Sequence, residues 1–152
     1  MPESESGNKY LLVFIDSFSR YLDVYPLSDL SAQTAFQCLI QFMGNFGIPS
    51  HLCRDNGSQL QGIIFQHMLD LCHVNGYKTH PYSHQENSIV ERANKLEEIL
   101  TVLRCLILET KHNNDWVLLC LVAKRMINSR IHSSIGIAPA DLVFGGRIDT
   151  FK

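Results

Sequence analysis

Two carboxylates, Asp55 and Glu91, stand with 35 residues between them. The first follows a short extended stretch, His51 to Arg54, and the second opens the strongest helical pattern in the chain. Carboxylates delivered by element ends can share a divalent cation such as Mg²⁺, whose remaining positions take waters and phosphate oxygens. With two ions roughly 3.5–4 Å apart, such a site activates a nucleophile and stabilises a leaving oxygen in phosphodiester chemistry. As a bare pair, two of the 15 acidic residues read equally as surface groups, so their surroundings decide the matter.

Positioning those carboxylates falls to an alternation of strands and helices. Tyr10 to Ile15 (YLLVFI) is apolar on both faces, which predicts a strand buried within a sheet. Turn residues at 16–19 and a second extended run, Tyr21 to Leu27, make a β-hairpin. The period then changes: Ala35, Phe36, Leu39, Ile40, Met43 and Phe46 form one helical stripe, stopped by Gly47 and Pro49. His51 to Arg54 reads as a short strand delivering Asp55, and Asn56-Gly57-Ser58 as a turn. A second helix carries Phe65, Met68, Leu69 and Cys72 on one side and is closed by Gly76, and Tyr77 to His80 is another short strand. Residues 81–88 read as a polar loop. Ile89, Val90, Ala93, Leu96, Ile99, Leu100, Leu103 and Leu106 then keep helical spacing. HNND at 112–115 interrupts them, and a further helix runs from Trp116 toward Ser129 with Trp116, Leu119, Cys120, Ala123, Met126 and Ile127 inside. A short helical turn around Ala140 to Phe144 follows. The order ββ-α-β-α-β-α-α predicts an α/β domain with a mixed sheet.

Composition bounds what this domain can be. At 152 residues, 45% apolar and 18% charged, the chain makes one ordinary domain and is not disordered as a whole. Its longest apolar run, Trp116 to Ala123, is eight residues, too short to cross a bilayer. Residues 1–8 lack the basic start and apolar stretch of a secretory signal, so the expected setting is intracellular. The 13 basic and 15 acidic residues leave a net charge of −2. Bulk charge therefore does not attract nucleic acid; local groups or bound metal ions would have to overcome a mild repulsion. Five cysteines without a C-x-x-C pair predict buried free thiols, not a disulfide framework or a zinc site.

RDNGSQ at 54–59, PYSHQENSIVERANK at 81–95 and YLLVFIDSFSRY at 10–21 together resemble the catalytic core of retroviral and long-terminal-repeat retrotransposon integrases. NSRIHSSIGIAPADLVFGG at 128–146 is similar to the same family's closing region, nearest the retrotransposon branch. The resemblance covers residues 10–149, after a flexible lead-in at 1–9, and includes the D-x35-E spacing. It implies a ribonuclease-H-like fold, a mixed sheet flanked by helices. It also implies two reactions on DNA ends, 3′-processing and strand transfer, using Mg²⁺ or Mn²⁺. Asp55 and Glu91 match the second and third acidic ligands of the family's triad, which makes them the catalytic and metal-binding residues. Asn94 and Lys95, three and four residues after Glu91 and on the same helical face, match positions that contact DNA. Lys95 also has a plainer reading as a solvated lysine. Tyr82 and Gln85 match a loop that touches DNA near the cut, and Ser58 a position that influences target choice. The implied partners are DNA, as element ends and as target, and further copies of the chain in a homodimer or higher oligomer through the helix after Trp116. No membrane is implied, and the compartments expected are nucleus or cytoplasm.

The pattern departs from that family in several places. The first acidic ligand belongs on a strand upstream of YLLVFID, where this chain has only MPESESGNK. Asp16 falls at the end of a strand, a position that is not catalytic in the family, and reads as a turn aspartate bonding the backbone. The missing strand lies mid-sheet, so its absence predicts two unpaired edges and an uncovered Tyr10 to Ile15 strand. The expectation is a start-truncated or degenerate core, incomplete at the N-terminus and feeble in strand transfer on its own. The zinc-binding N-terminal domain and the small C-terminal barrel of full integrases are likewise expected to be absent. Ser88 and His84 stand where the family often has Gly and Pro, and Ser88 is available as a helix N-cap. Glu98 puts a negative charge where the family tends to be basic. A second reading is a non-catalytic nucleic-acid-binding or oligomerisation module derived from such a core. A generic ribonuclease-H-like nuclease is disfavoured by the closing GIAPADLVFGG segment.

Overall fold

A computed structural model describes residues 2–54, 62–78, 86–110 and 116–146, with the backbone alone at 64, 77–78 and 86–94. The elements are β1 (Tyr10–Ile15), β2 (Leu22–Leu27), α1 (Ala32–Phe46), β3 (His51–Arg54), α2 (Ile63–Leu71), β4 (Asn75–Lys78), α3 (Glu86–Thr110), α4 (Trp116–Asn128) and α5 (Pro139–Phe144). They fall into two compact units, Met1–Pro26 with Ser88–Lys152, and Leu27–Asn87.

The first unit is built on the β1–β2 hairpin. Asp16 fixes its turn: the carboxylate accepts from the Ser19 N–H at 2.8 Å and from the Ser19 hydroxyl at 2.6 Å. That is the backbone-bonding role expected of it. Leu11, Val13 and Ile15 of β1 pack against a core that includes Leu22, Ile99, Leu103, Trp116, Ala123 and Ile127. Phe14, one step out of phase, meets Tyr25 edge-on with ring centroids 5.5 Å apart. The alternation follows from the two-residue period of a strand. Trp116, Cys120, Ala123 and Ile127 form the buried stripe of α4. Asn128, at the end of α4, reaches β2. Its Oδ1 accepts from the Leu22 N–H at 2.9 Å and its Nδ2 donates to the Leu22 carbonyl at 2.7 Å. A side-chain amide thus satisfies strand backbone that a further strand would otherwise pair. Next to it, the buried Asp23 carboxylate is met by the Lys124 ammonium and, at 3.0 Å, by the Tyr25 hydroxyl. The Trp116 indole N–H donates to the Pro2 carbonyl at 2.8 Å, tying the start of the chain to the start of α4.

In the second unit, α1 begins where side chains can cap it. The Ser31 hydroxyl accepts from the Thr34 N–H, and the Asp29 carboxylate accepts from the Ser31 N–H at 2.7 Å and the Thr34 hydroxyl at 3.0 Å. These bonds, Ser31's first, hold the Asp29 carboxyl below the usual carboxylate range. Gly47, at φ 88°, ends the helix. β3 and β4 pair in parallel, His51 opposite Asn75 and Arg54 opposite Lys78. Parallel strands need a crossover between them, and α2 supplies it. Phe36 of α1 meets Phe65 of α2 edge-on, with centroids 6.3 Å apart.

Several expectations are refined. The described strands form two two-stranded sheets, β1–β2 and β3–β4, where one mixed sheet was expected. Each of the four strands has a single strand neighbour among the described residues. β1, expected to be buried within a sheet, is not: all six of its residues stay at least partly exposed. Gly76 does not close α2 but lies inside β4, where α2 approaches the strand. A Cβ at Gly76 would sit 2.9 Å from Leu69 Cδ1. α3 starts at Glu86, so Ser88 lies within the helix and not at its cap. Ile40 and Met126, placed on inner stripes by periodicity, are exposed.

Candidate nucleic-acid and metal site

β3 has the burial pattern of a strand with one covered face. His51 and Cys53 are exposed, Leu52 is half-buried and Arg54 is 5% exposed. Arg54 therefore carries a cation into the covered side of the strand immediately before Asp55. Its Nη2 donates to Gln66 Oε1 at 2.7 Å, and Gln66 Nε2 in turn donates to Asp70 Oδ1 at 2.9 Å. The guanidinium carbon lies 5.4 Å from the Phe65 ring centroid, a cation–π contact. Its Nε–H and Nη1–H are buried and meet no acceptor among the described residues. Leaving such donors unmet costs roughly 1–3 kcal/mol each. Sequence reading passed over Arg54; its in-phase position with Leu52 was the available signal.

On α3, Lys95 is the one predicted site residue whose side chain is described. It continues the Ile99 and Leu103 stripe toward the start of the helix and is 8% exposed. Its aliphatic stem is covered, and its ammonium donates to Glu98 Oε2 at 2.8 Å. The plain solvated lysine is thus corrected: the cation is paired within its own helix. The backbone of α3 carries Glu91 and Asn94, whose side chains lie outside the described residues, as do Asp55, Ser58, Tyr82 and Gln85 altogether.

The ligand set read from the sequence is two carboxylates, hard oxygen donors of the type that suits Mg²⁺ or Mn²⁺. Strand β3 ends one residue before the first, and α3 carries the second in its second turn. Among the described residues, no group of three or more His, Cys, Asp or Glu side chains gathers. The chemistry of the two carboxylates fits such a metal.

The family profile described as integrase core domain matches residues 2–84, just over half of the chain. The Gag-Pol polyprotein of woolly monkey sarcoma virus is 35% identical over 144 residues, covering 92% of this chain and 8% of the polyprotein. That of feline leukemia virus is 36% identical over 143 residues, covering 91% and 8%. The chain thus spans less than a tenth of the length of these curated relatives. Among solved structures, the simian T-cell lymphotropic virus intasome aligns at a TM-score of 0.78 and 21% identity, over 99% of this chain and 53% of that one. The HTLV-2 integrase catalytic core domain in complex with magnesium, in a trimeric form, aligns at 0.71 and 20% identity, over 88% and 83%. Likeness at that level of identity shows the fold.

Proposed function

The chain belongs to the integrase core domain family, and we propose that it is a DNA-integration domain acting by divalent-metal-dependent polynucleotidyl transfer. The reactions are 3′-processing, in which water cleaves a phosphodiester near an element end and leaves a 3′-hydroxyl, and strand transfer, in which that hydroxyl bonds to a target phosphorus while the target's own 3′-oxygen leaves. Asp55 and Glu91 would hold Mg²⁺ or Mn²⁺, which when bound supplies charge neutralisation at phosphate oxygens and an activated nucleophile. Asn94 and Lys95 hold the DNA backbone, Tyr82 and Gln85 meet DNA near the cut, and Ser58 bears on the choice of target. The proposed setting is the nucleus or cytoplasm. No helix among the described residues is long and apolar enough to cross a membrane.

The observation that carries this reading is the family match across residues 2–84, which takes in β3 and Asp55. The test is strand transfer from pre-cut long-terminal-repeat ends with Mg²⁺ or Mn²⁺, comparing wild type with Asp55→Asn. Transfer by the wild type that is lost in the variant is expected, because Asp55 is one of the two carboxylates that would hold the metal. Transfer that survives the substitution unchanged removes Asp55 from the mechanism.

A second reading, a non-catalytic binding or oligomerisation module, is favoured by the outer face of α4. Leu118, Leu121, Val122 and Met126 are exposed there, beside a depression lined by Val24, Pro26, Val117 and Cys120. Large apolar side chains left exposed together on one helix, beside Arg125, mark an interaction surface, and a second copy of the chain is the partner proposed. Light scattering across a dilution series should report a dimer that Leu121→Glu converts to monomer. A concentration-independent monomer mass in the wild type contradicts it.

A further inference from the structure

Lys95 stands four residues before Ile99 and eight before Leu103 on α3, two side chains with no exposure at all. A lysine at the end of an apolar stripe covers its methylene stem and lets the ammonium emerge at the edge. What meets that ammonium is Glu98, three residues on, at 2.8 Å. The Glu98 side chain is 33% exposed and that of Lys95 only 10%, so solvent reaches the pair mainly from the carboxylate's side.

We infer that Glu98 is an intramolecular competitor for the Lys95 ammonium, so that a DNA phosphate gains this cation only by displacing the carboxylate. The inference rests on the DNA-binding reading proposed above and adds the residue that sets its strength. A phosphate and a carboxylate offer the same charge-assisted hydrogen bond to an ammonium. DNA therefore forfeits whatever the internal pair contributes, and it meets the partly exposed Glu98 charge as well.

The experiment is fluorescence anisotropy of a short labelled DNA duplex titrated with the whole chain across a salt series. It compares wild type, Glu98→Gln, Lys95→Gln, the double variant, and Glu97→Gln as a neighbouring exposed charge. Glu98→Gln should tighten binding about threefold to tenfold and steepen the salt dependence by about one released counterion. That gain should vanish in the Lys95→Gln background and should be much smaller for Glu97→Gln. An equal gain in the Lys95→Gln background, or from Glu97→Gln, overturns the competitor in favour of a general charge effect. Wild-type binding that Glu98→Gln leaves unchanged overturns it too, with the DNA reading intact. Absence of duplex binding by every variant overturns the DNA reading and the competitor together.

Discussion

Asn128 commits both halves of its amide to a single residue of β2, and that makes it the sharpest point of failure in the first unit. Asn128→Ala strips partners from the Leu22 N–H and carbonyl together, and should cost roughly 2–3 kcal/mol. The readout is a lower urea midpoint with an unchanged slope. Asn128→Asp keeps the acceptor but sets an oxygen against the Leu22 carbonyl, and should be no better than alanine. Cys120 acts through protonation. Burial pushes its thiol up to about 12, from an ordinary value of 9.0. Between those values the unfolded chain has released the proton and the folded chain has kept it. This contribution is therefore whole below about pH 9 and declines as pH rises toward 12. Tyr21, raised first by its burial and then by Asp23, works in the same direction. Cys120→Ala should flatten the alkaline fall in stability. In the native chain at pH 8, iodoacetamide should label exposed Cys53 and Cys105 well before buried Cys38 and Cys120. Prompt labelling of Cys120 contradicts its placement in the core.

At the level of elements, Gly76 shows what a sequence can and cannot disclose. Its backbone needs no left-handed conformation; the residue is small because α2 lies against β4 there. Gly76→Ala should destabilise by roughly 1–3 kcal/mol, since Leu69 is wholly buried and cannot yield easily. Combining it with Leu69→Ala should give less than the sum of the two, because the shorter side chain clears the clash. Strict additivity would contradict the close approach. The glycine reads as a helix stop in the sequence because its true constraint comes from a residue seven positions away. Features with local causes were legible: Gly47 ends α1, and the extended run His51–Arg54 is the observed β3. Inner faces were legible only in part. Leu39 and Ile127 are buried as their spacing predicts, but Ile40 and Met126 sit at stripe margins, where the neighbouring element decides exposure.

For the whole molecule, the described strands pair as β1–β2 and as β3–β4. The site was legible in a different degree from the fold. The spacing of Asp55 and Glu91 is visible in one dimension, and so is the approach of β3 to Asp55. The pairing of Lys95 with Glu98 was signalled by their three-residue separation, yet burial of the lysine stem depends on packing that no spacing reveals. Arg54 was missed because a buried cation is a rare choice on a short strand. Everything proposed for catalysis turns on Asp55 and Glu91 gripping one ion between them. The direct measurement is Mn²⁺ binding by electron paramagnetic resonance in wild type, Asp55→Asn, Glu91→Gln and the double variant. A shared ion predicts that either single substitution loses nearly as much affinity as both together. Losses that simply add, or a double variant that binds Mn²⁺ as the wild type does, contradict it.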